Sequence, residues 1–268
     1  MDQELIMLGT GHAMVTKCYN TCFVLRHGDE YVLTDGGGGN GILVQLEKSG
    51  IPCSHIRSMI VTHGHTDHVL GVIWMVRNIA SLMRAKDYEG LFTIYCHDEL
   101  APIITEICRL TLAPELFGFI GQRIVIRTVS HGEIVPLAGM EVQFFDLGSA
   151  KVKQFGFRAC LGSGKALVCL GDEPYRDCSK EYVEGCDWLL AEAFCLYSDR
   201  EVFHPYEKQH STARDAGMVA EQIGVKNLVL YHTEDSDLVN RKERYTAEAK
   251  AVFAGAVYVP DDLERIAL

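Results

Sequence analysis

The chain has 268 residues, a formal net charge of −11, 48% hydrophobic and 23% charged residues. This is the composition of an ordinary soluble globular protein, and a chain this long can bury a large core without disulfides or a structural metal. The negative balance repels phosphate backbones and disfavours general nucleic-acid binding, although a divalent cation inverts the local field at any site that holds one. No apolar run approaches the roughly 20 residues of a membrane span.

Short apolar runs read as strands and alternate with longer helical patterns. In chain order the expected strands are 4–8, 21–26, 31–34, 58–61, 92–95 and 124–128, then 141–146, 156–161, 165–170, 188–192, 227–231 and 256–259. The expected helices are 41–49, 69–84, 99–112, 179–184, 212–223 and 238–253. In the fifth of these, Ser211 and Thr212 are capping candidates and Gly224 is a stop signal. Its positions Ala216, Val219, Ala220 and Ile223 share one face. Two groups of strands, each with its own helices, suggest two sheets packed face to face and covered outside, within one continuous domain over 1–268. No sequence repeat relates the two halves.

Ten cysteines stand at 18, 22, 53, 96, 108, 160, 169, 178, 186 and 195, none in C-x-x-C spacing. Small reduced core residues are the expected reading, and free thiols in this number fit a reducing compartment. The start Met1-Asp2-Gln3-Glu4 lacks a signal-peptide pattern, so a cytoplasmic protein is expected.

The chemistry concentrates in Val61-Thr62-His63-Gly64-His65-Thr66-Asp67-His68. The segment follows a β-branched run and precedes an apolar helix. Alternate residues at a strand end point to one side, so His63 and His65 can share a target. Asp67 and His68, at the start of the helix, can face the same cavity from another direction. Imidazole with carboxylate suits zinc, manganese or iron better than calcium or magnesium.

This segment resembles the H-x-H-x-D-H signature of the metallo-β-lactamase superfamily. Leu8-Gly9-Thr10-Gly11, Leu33-Thr34-Asp35-Gly36-Gly37, Leu170-Gly171-Asp172, Tyr231-His232 and Val259-Pro260-Asp261-Asp262-Leu263 are similar to further superfamily segments in the right order. The resemblance implies an α/β fold: an αββα sandwich of two mixed sheets with metals at one edge of both. Ala191-Glu192-Ala193-Phe194 and His210-Ser211-Thr212-Ala213 are similar to segments of the ribonuclease Z branch and its phosphodiesterase relatives.

Carried over residue by residue, the resemblance implies that His63 and His65 bind a first metal. Asp67, His68 and His232 bind a second, and Asp172 bridges the two. Two metals about 3.5–4 Å apart can hold a hydroxide at neutral pH and clamp a phosphoryl group. His210 would donate a proton to the leaving oxygen and Glu192 would orient it, so that Asp67, His210 and Glu192 form the catalytic set. Asp35 would hold a ligand histidine. His12 is a candidate substrate contact or a turn residue, and the segment 204–208 is a candidate pocket wall or a surface loop.

Two departures matter. The branch supplies one more histidine six residues before an aromatic-Gly-aromatic-Arg segment; here that segment is Phe155-Gly156-Phe157-Arg158 and the position is Ser149. Asp146, His131 or water could compensate, or one site is weak or empty. Zinc with three protein ligands and water is a normal catalytic arrangement. The long arm that grips transfer RNA in ribonuclease Z is also missing, since only 159–170 stand in its usual place and no basic cluster replaces it. The expectation is therefore a metal-dependent hydrolase, holding one or two zinc ions, with manganese or iron as alternatives. Its substrate would be a small phosphodiester or nucleotide rather than transfer RNA. The alternatives are a hydrolase of a lactone, thioester or sulfate ester, or a binding module without turnover. A homodimer is left open.

Overall fold

The computed structural model describes residues 3–162 and 164–268. Its strands are β1 (Gln3–Gly9), β2 (Cys22–His27), β3 (Glu30–Thr34), β4 (Ile56–Ile60), β5 (Phe92–Cys96), β6 (Ile124–Thr128) and β7 (Ile134–Leu137). They continue with β8 (Met140–Asp146), β9 (Phe155–Cys160), β10 (Ala166–Cys169), β11 (Trp188–Glu192), β12 (Asn227–Tyr231), β13 (Ala256–Tyr258) and β14 (Arg265–Ala267). The helices are α1 (Gly41–Lys48), α2 (Thr66–Ala85), α3 (Leu100–Thr111), α4 (Pro114–Phe117), α5 (Lys180–Val183), α6 (Arg200–Phe203), α7 (Ala213–Ile223) and α8 (Leu238–Lys250).

The strands form two seven-stranded sheets, ordered β14-β1-β2-β3-β4-β5-β6 and β13-β12-β11-β10-β9-β8-β7. Each begins as an antiparallel meander and continues as a parallel ladder: β3, β4, β5 and β6 in the first, β10, β11, β12 and β13 in the second. The halves thus repeat in topology although not in sequence.

Burial separates four layers. Along β1, Leu5 and Met7 pack between the sheets, whereas Ile6 and Leu8 pack under the helices of the first half. Along β12, Val229 and Tyr231 face the other sheet, whereas Leu228 and Leu230 face α7 and α8. Strands buried on both faces read as continuous apolar runs, which is why they are visible in the sequence. The expected αββα sandwich is the observed architecture.

Twelve of the expected strands and six expected helices recur with ends shifted by up to three residues. Two strands and two one-turn helices were not expected. β7 contains Pro136 and lies at a sheet edge, where a missing donor is tolerated but the pattern is obscured. β14 has three residues, and α4 and α6 have four each, too few to establish a period. At α7 the capping expectation holds: Thr212 and Asp215 form a reciprocal capping box, and Gly224 closes the helix at φ +75°. All ten cysteines are unbridged, and Cys22, Cys96, Cys108, Cys169, Cys186 and Cys195 are buried. Among the described residues no helix is long and apolar enough to cross a membrane.

Candidate metal centre

Parallel strands end on the same edge of their sheet, and here the carboxyl ends of both ladders meet. Asp35 follows β3 and His63 follows β4; Asp172 follows β10, Glu192 ends β11 and His232 follows β12. Fold topology therefore gathers residues that are up to about 200 positions apart in sequence.

Asp35 organises the first half. Its Oδ1 accepts from Thr62 N at 2.8 Å, and its Oδ2 accepts from Thr62 Oγ1 at 2.8 Å. The same Oδ2 lies 2.7 Å from His68 Nδ1. A carboxylate on Nδ1 fixes that proton and leaves Nε2 as the free ligand atom. The glycines beside Asp35 let α2 approach. Gly36 N donates to His68 O at 2.9 Å, Gly71 N donates to Gly37 O at 2.8 Å, and a Cβ on Gly71 would collide with Gly36 O. Asp35 and His232 both take positive φ, +56° and +58°, which is uncommon for residues with a Cβ and marks positions held by their surroundings.

Among the described residues, three groups of ligand atoms lie within 4.8 Å of one another: His63, His65 and Asp172; Asp67, His68 and His232; and Asp172, His210 and His232. The six ligand candidates that the resemblance implied, His63, His65, Asp67, His68, Asp172 and His232, are all in the first two. The shared carboxylate oxygen Asp172 Oδ2 is 3.6 Å from His63 Nε2 and 3.8 Å from His232 Nε2. Asp67 Oδ2 is 3.4 Å from His68 Nε2 and 3.5 Å from His232 Nε2.

The donor set fits a divalent cation. His68 Nε2, Asp172 Oδ1 and both ring nitrogens of His232 are buried without a hydrogen-bond partner. Buried polar atoms normally have one, and a cation between the groups would supply it to His68 Nε2 and to the Nε2 of His232 that faces Asp67 and Asp172. Burial pushes the Asp67 carboxyl up, but His68 and His232 hold it well below the usual range. Burial acts likewise on Asp172, and His63, His232 and His68 hold it well below. Burial keeps His63 well below the ordinary histidine value, as a neutral ligand requires. At His68 burial is outweighed by Asp35 and Asp67, which raise it well above. The carboxylates thus stabilise positive charge at this spot, which a metal ion would supply in place of a proton.

Glu192 and His210 stand beside these groups. Glu192 is buried and accepts from the backbone N–H groups of Ser211 and Phe194, while Ser211 Oγ donates to Glu192 O at 3.1 Å. The carboxylate thereby fixes the turn that carries His210. His210 Nδ1 lies 3.5 Å from Glu192 Oε2, and its ring stacks on Phe194 at 5.0 Å and 11°. A cavity of about 460 Å³ opens over the centre, with His12, Lys208 and His210 on its walls. His12 packs on Phe194 at 4.5 Å, and burial with the neighbouring His232 and His210 lowers it to about 4. The segment 204–208 contributes Lys208 to this wall, with its ammonium 4.9 Å from the Phe194 ring.

Neither residue offered as a replacement for the histidine absent at position 149 reaches the centre. His131 Nδ1 accepts from Asp146 N, its Nε2 meets Tyr182 Oη at 3.1 Å, and Asp146 Oδ1 accepts from Gly148 N. These residues bind one another and belong to none of the three groups. Ser149 Oγ instead donates to the fully buried Glu173 at 2.8 Å. Lys151 extends over the first group, its Nζ 3.2 Å from Glu173 Oε1 and 3.8 Å from Asp172 Oδ2.

Sequence reasoning missed Lys151 and Glu173, although Glu173 directly follows Asp172 and Lys151 is two residues from Ser149. It also missed Tyr231, whose hydroxyl donates to Gly171 O and braces the turn carrying Asp172. Arg241 was missed as well. Buried, it donates to Thr10 and Thr233 Oγ1, both at 3.0 Å, and ties the loops after β1 and β12 together.

Residues 3–107 match the family described as "Anti-Pycsar protein Apyc1". Along the whole chain, ribonuclease Z of Thermobifida fusca (strain YX) is 28% identical over 306 aligned positions, covering 99% of this chain and 95% of the relative. Since 306 exceeds the chain's own length, that relative carries segments this chain lacks. Among solved structures, the metallo-β-lactamase fold protein YhfI from Bacillus subtilis superposes with a TM-score of 0.80 at 18% identity, covering all of both chains. A diphosphatase from the PhnP family superposes with a TM-score of 0.75 at 19% identity, covering 100% of this chain and 98% of the other.

Proposed function

We propose that this chain, which has the metallo-β-lactamase fold and is similar to ribonuclease Z along its whole length, is a metal-dependent hydrolase of phosphodiesters. The observation that carries the reading is the Glu192–His210 pair standing beside the buried His and Asp donor groups. A metal site alone suits many ester hydrolases. A proton donor backed by a buried carboxylate serves a leaving alkoxide.

In this reading His63, His65 and Asp172 would contribute to one half of the centre, and Asp67, His68, His232 and Asp172 to the other. Zinc fits the imidazole-rich set best, with manganese or iron as alternatives. When bound, the metal supplies Lewis-acid activation of water and charge for the phosphoryl oxygens. The chain's own residues do the rest. Asp35 holds His68 in one tautomer. Glu192 Oε2 stands 3.5 Å from the Nδ1 side of His210, and the doubly protonated ring would pass its Nε2 proton to the leaving oxygen. His12 and Lys208 bound the cavity where the substrate would lie.

A small phosphodiester or nucleotide is the proposed substrate. Cys160 pairs with Ala166 across a short connection between β9 and β10, so no long arm for gripping RNA emerges there. The net charge of −11 acts in the same direction. Ten unbridged cysteines support a reducing compartment, and the cytoplasm is the proposed location. The test is a panel of an aryl phosphodiester, cyclic nucleotides, a precursor transfer RNA, a lactone and a thioester, given to zinc- or manganese-loaded protein. Turnover of the small phosphodiesters with little on the RNA is expected. Preference for the RNA would overturn the substrate size, and preference for a carbonyl ester would overturn the reaction class.

A further inference from the structure

The two halves of the centre differ by one cation. Glu173 is fully buried and surrounded by donors: Ser149 Oγ at 2.8 Å, Gln154 Nε2 at 3.2 Å, Lys151 Nζ at 3.2 Å, and Arg176 Nη2 at 3.2 Å on the other oxygen. A carboxylate so held is immobile, and it fixes Lys151 in turn. The ammonium, on a side chain only 15% exposed, stands 3.8 Å from Asp172 Oδ2. That oxygen also faces His63 Nε2 at 3.6 Å.

We infer that Lys151 stands as a fixed positive charge in the part of the centre that the residue at 149 leaves without a ligand. The chain would then hold one ion tightly, at Asp67, His68 and His232, and a second only weakly, at His63 and His65. The inference rests on the metal-dependent reading above and assigns its two halves unequal roles. A protonated lysine has three donors and no lone pair, so it cannot ligate. Like charges a few ångströms apart in a partly buried site repel strongly, so an ion in the first group works against Lys151. At the second group the ion-pair and hydrogen-bond partners among the described residues are Asp35, Asp172 and histidines, while Lys208, on the cavity wall, has its ammonium 4.9 Å from the Phe194 ring. Lys151 therefore supplies permanently, beside the shared carboxylate, part of the positive charge that a second ion would bring.

The test is zinc titration of chelator-stripped protein, read by equilibrium dialysis and elemental analysis rather than by turnover. Wild type should bind one equivalent tightly and a second at least tenfold more weakly. Lys151→Ala should tighten the second by tenfold or more. Lys151→Arg, which keeps the charge, should match wild type. Lys151→Gln removes the charge but keeps a donor toward Glu173, and should match Lys151→Ala even where the alanine loosens the loop. Two equally tight ions in wild type would overturn the inference, as would a second affinity unchanged in both Lys151→Ala and Lys151→Gln. A wild type that binds no ion would instead overturn the metal-dependent reading itself.

Discussion

The two groups of donors at the centre use the same side-chain types and differ in how they are held. Asp67, His68 and His232 are all buried, and Asp35 fixes the His68 proton at 2.7 Å. In the other group His65 is only half-buried, and among the described residues no carboxylate holds a ring nitrogen of either histidine from behind. His63 Nδ1 meets only the hydroxyl of Thr62, and His65 Nδ1 meets His63 Nε2. A count of histidines makes the groups look alike. A carboxylate behind a ligand histidine fixes its tautomer and raises its basicity, so the two groups are not equivalent as donors.

The comparison breaks most sharply by deleting one ligand from each side. His68→Ala should abolish retention of the tight ion and reduce turnover to background, whereas His65→Ala should leave that ion in place; metal content after dialysis reads both. Equal losses would mean that the groups are equivalent. His210→Ala should lower kcat about 10²–10⁴-fold with metal content unchanged, as for a lost proton donor. Because His210 also lies within ligand distance of Asp172 and His232, loss of metal in this variant would make it a ligand instead. Asp35→Asn should weaken metal affinity or activity by about 10–100-fold, the usual effect of removing a group behind a ligand. The smallest effect concerns packing. Gly71→Ala forces α2 away from Gly36 and should cost roughly 1–3 kcal/mol in denaturant unfolding, as overpacking does.

Much of this was legible in the sequence because the sandwich buries its strands on both faces. Central strands such as β11 and β12 appear as unbroken apolar runs, and their observed ends coincide with the expected ones. The H-x-H-x-D-H cluster is local, so its side chains were legible together. Residues such as Lys151, Tyr231 and Arg241 were not. Each acts through a partner distant in sequence or across a turn, and nothing in a lysine, a strand tyrosine or a helical arginine marks it before the chain is folded. Position 149 shows the limit from the other side. Sequence spacing revealed that a histidine was absent, yet the neighbours offered in its place, Asp146 and His131, are engaged with each other, and it is the Lys151 ammonium that stands 3.8 Å from Asp172.

If buried His and Asp donors, with Glu192 and His210 beside them, hydrolyse phosphodiesters, they do so through a bound metal. The most direct measurement is hydrolysis of bis(p-nitrophenyl) phosphate by chelator-stripped protein, before and after adding back zinc or manganese, with Asp172→Ala in parallel. A metal-dependent centre gives no turnover before, restored turnover after, and neither restored activity nor tight metal in the variant. Protein that regains its metal and still leaves the phosphodiester intact, or that cleaves it equally well when stripped, would contradict it.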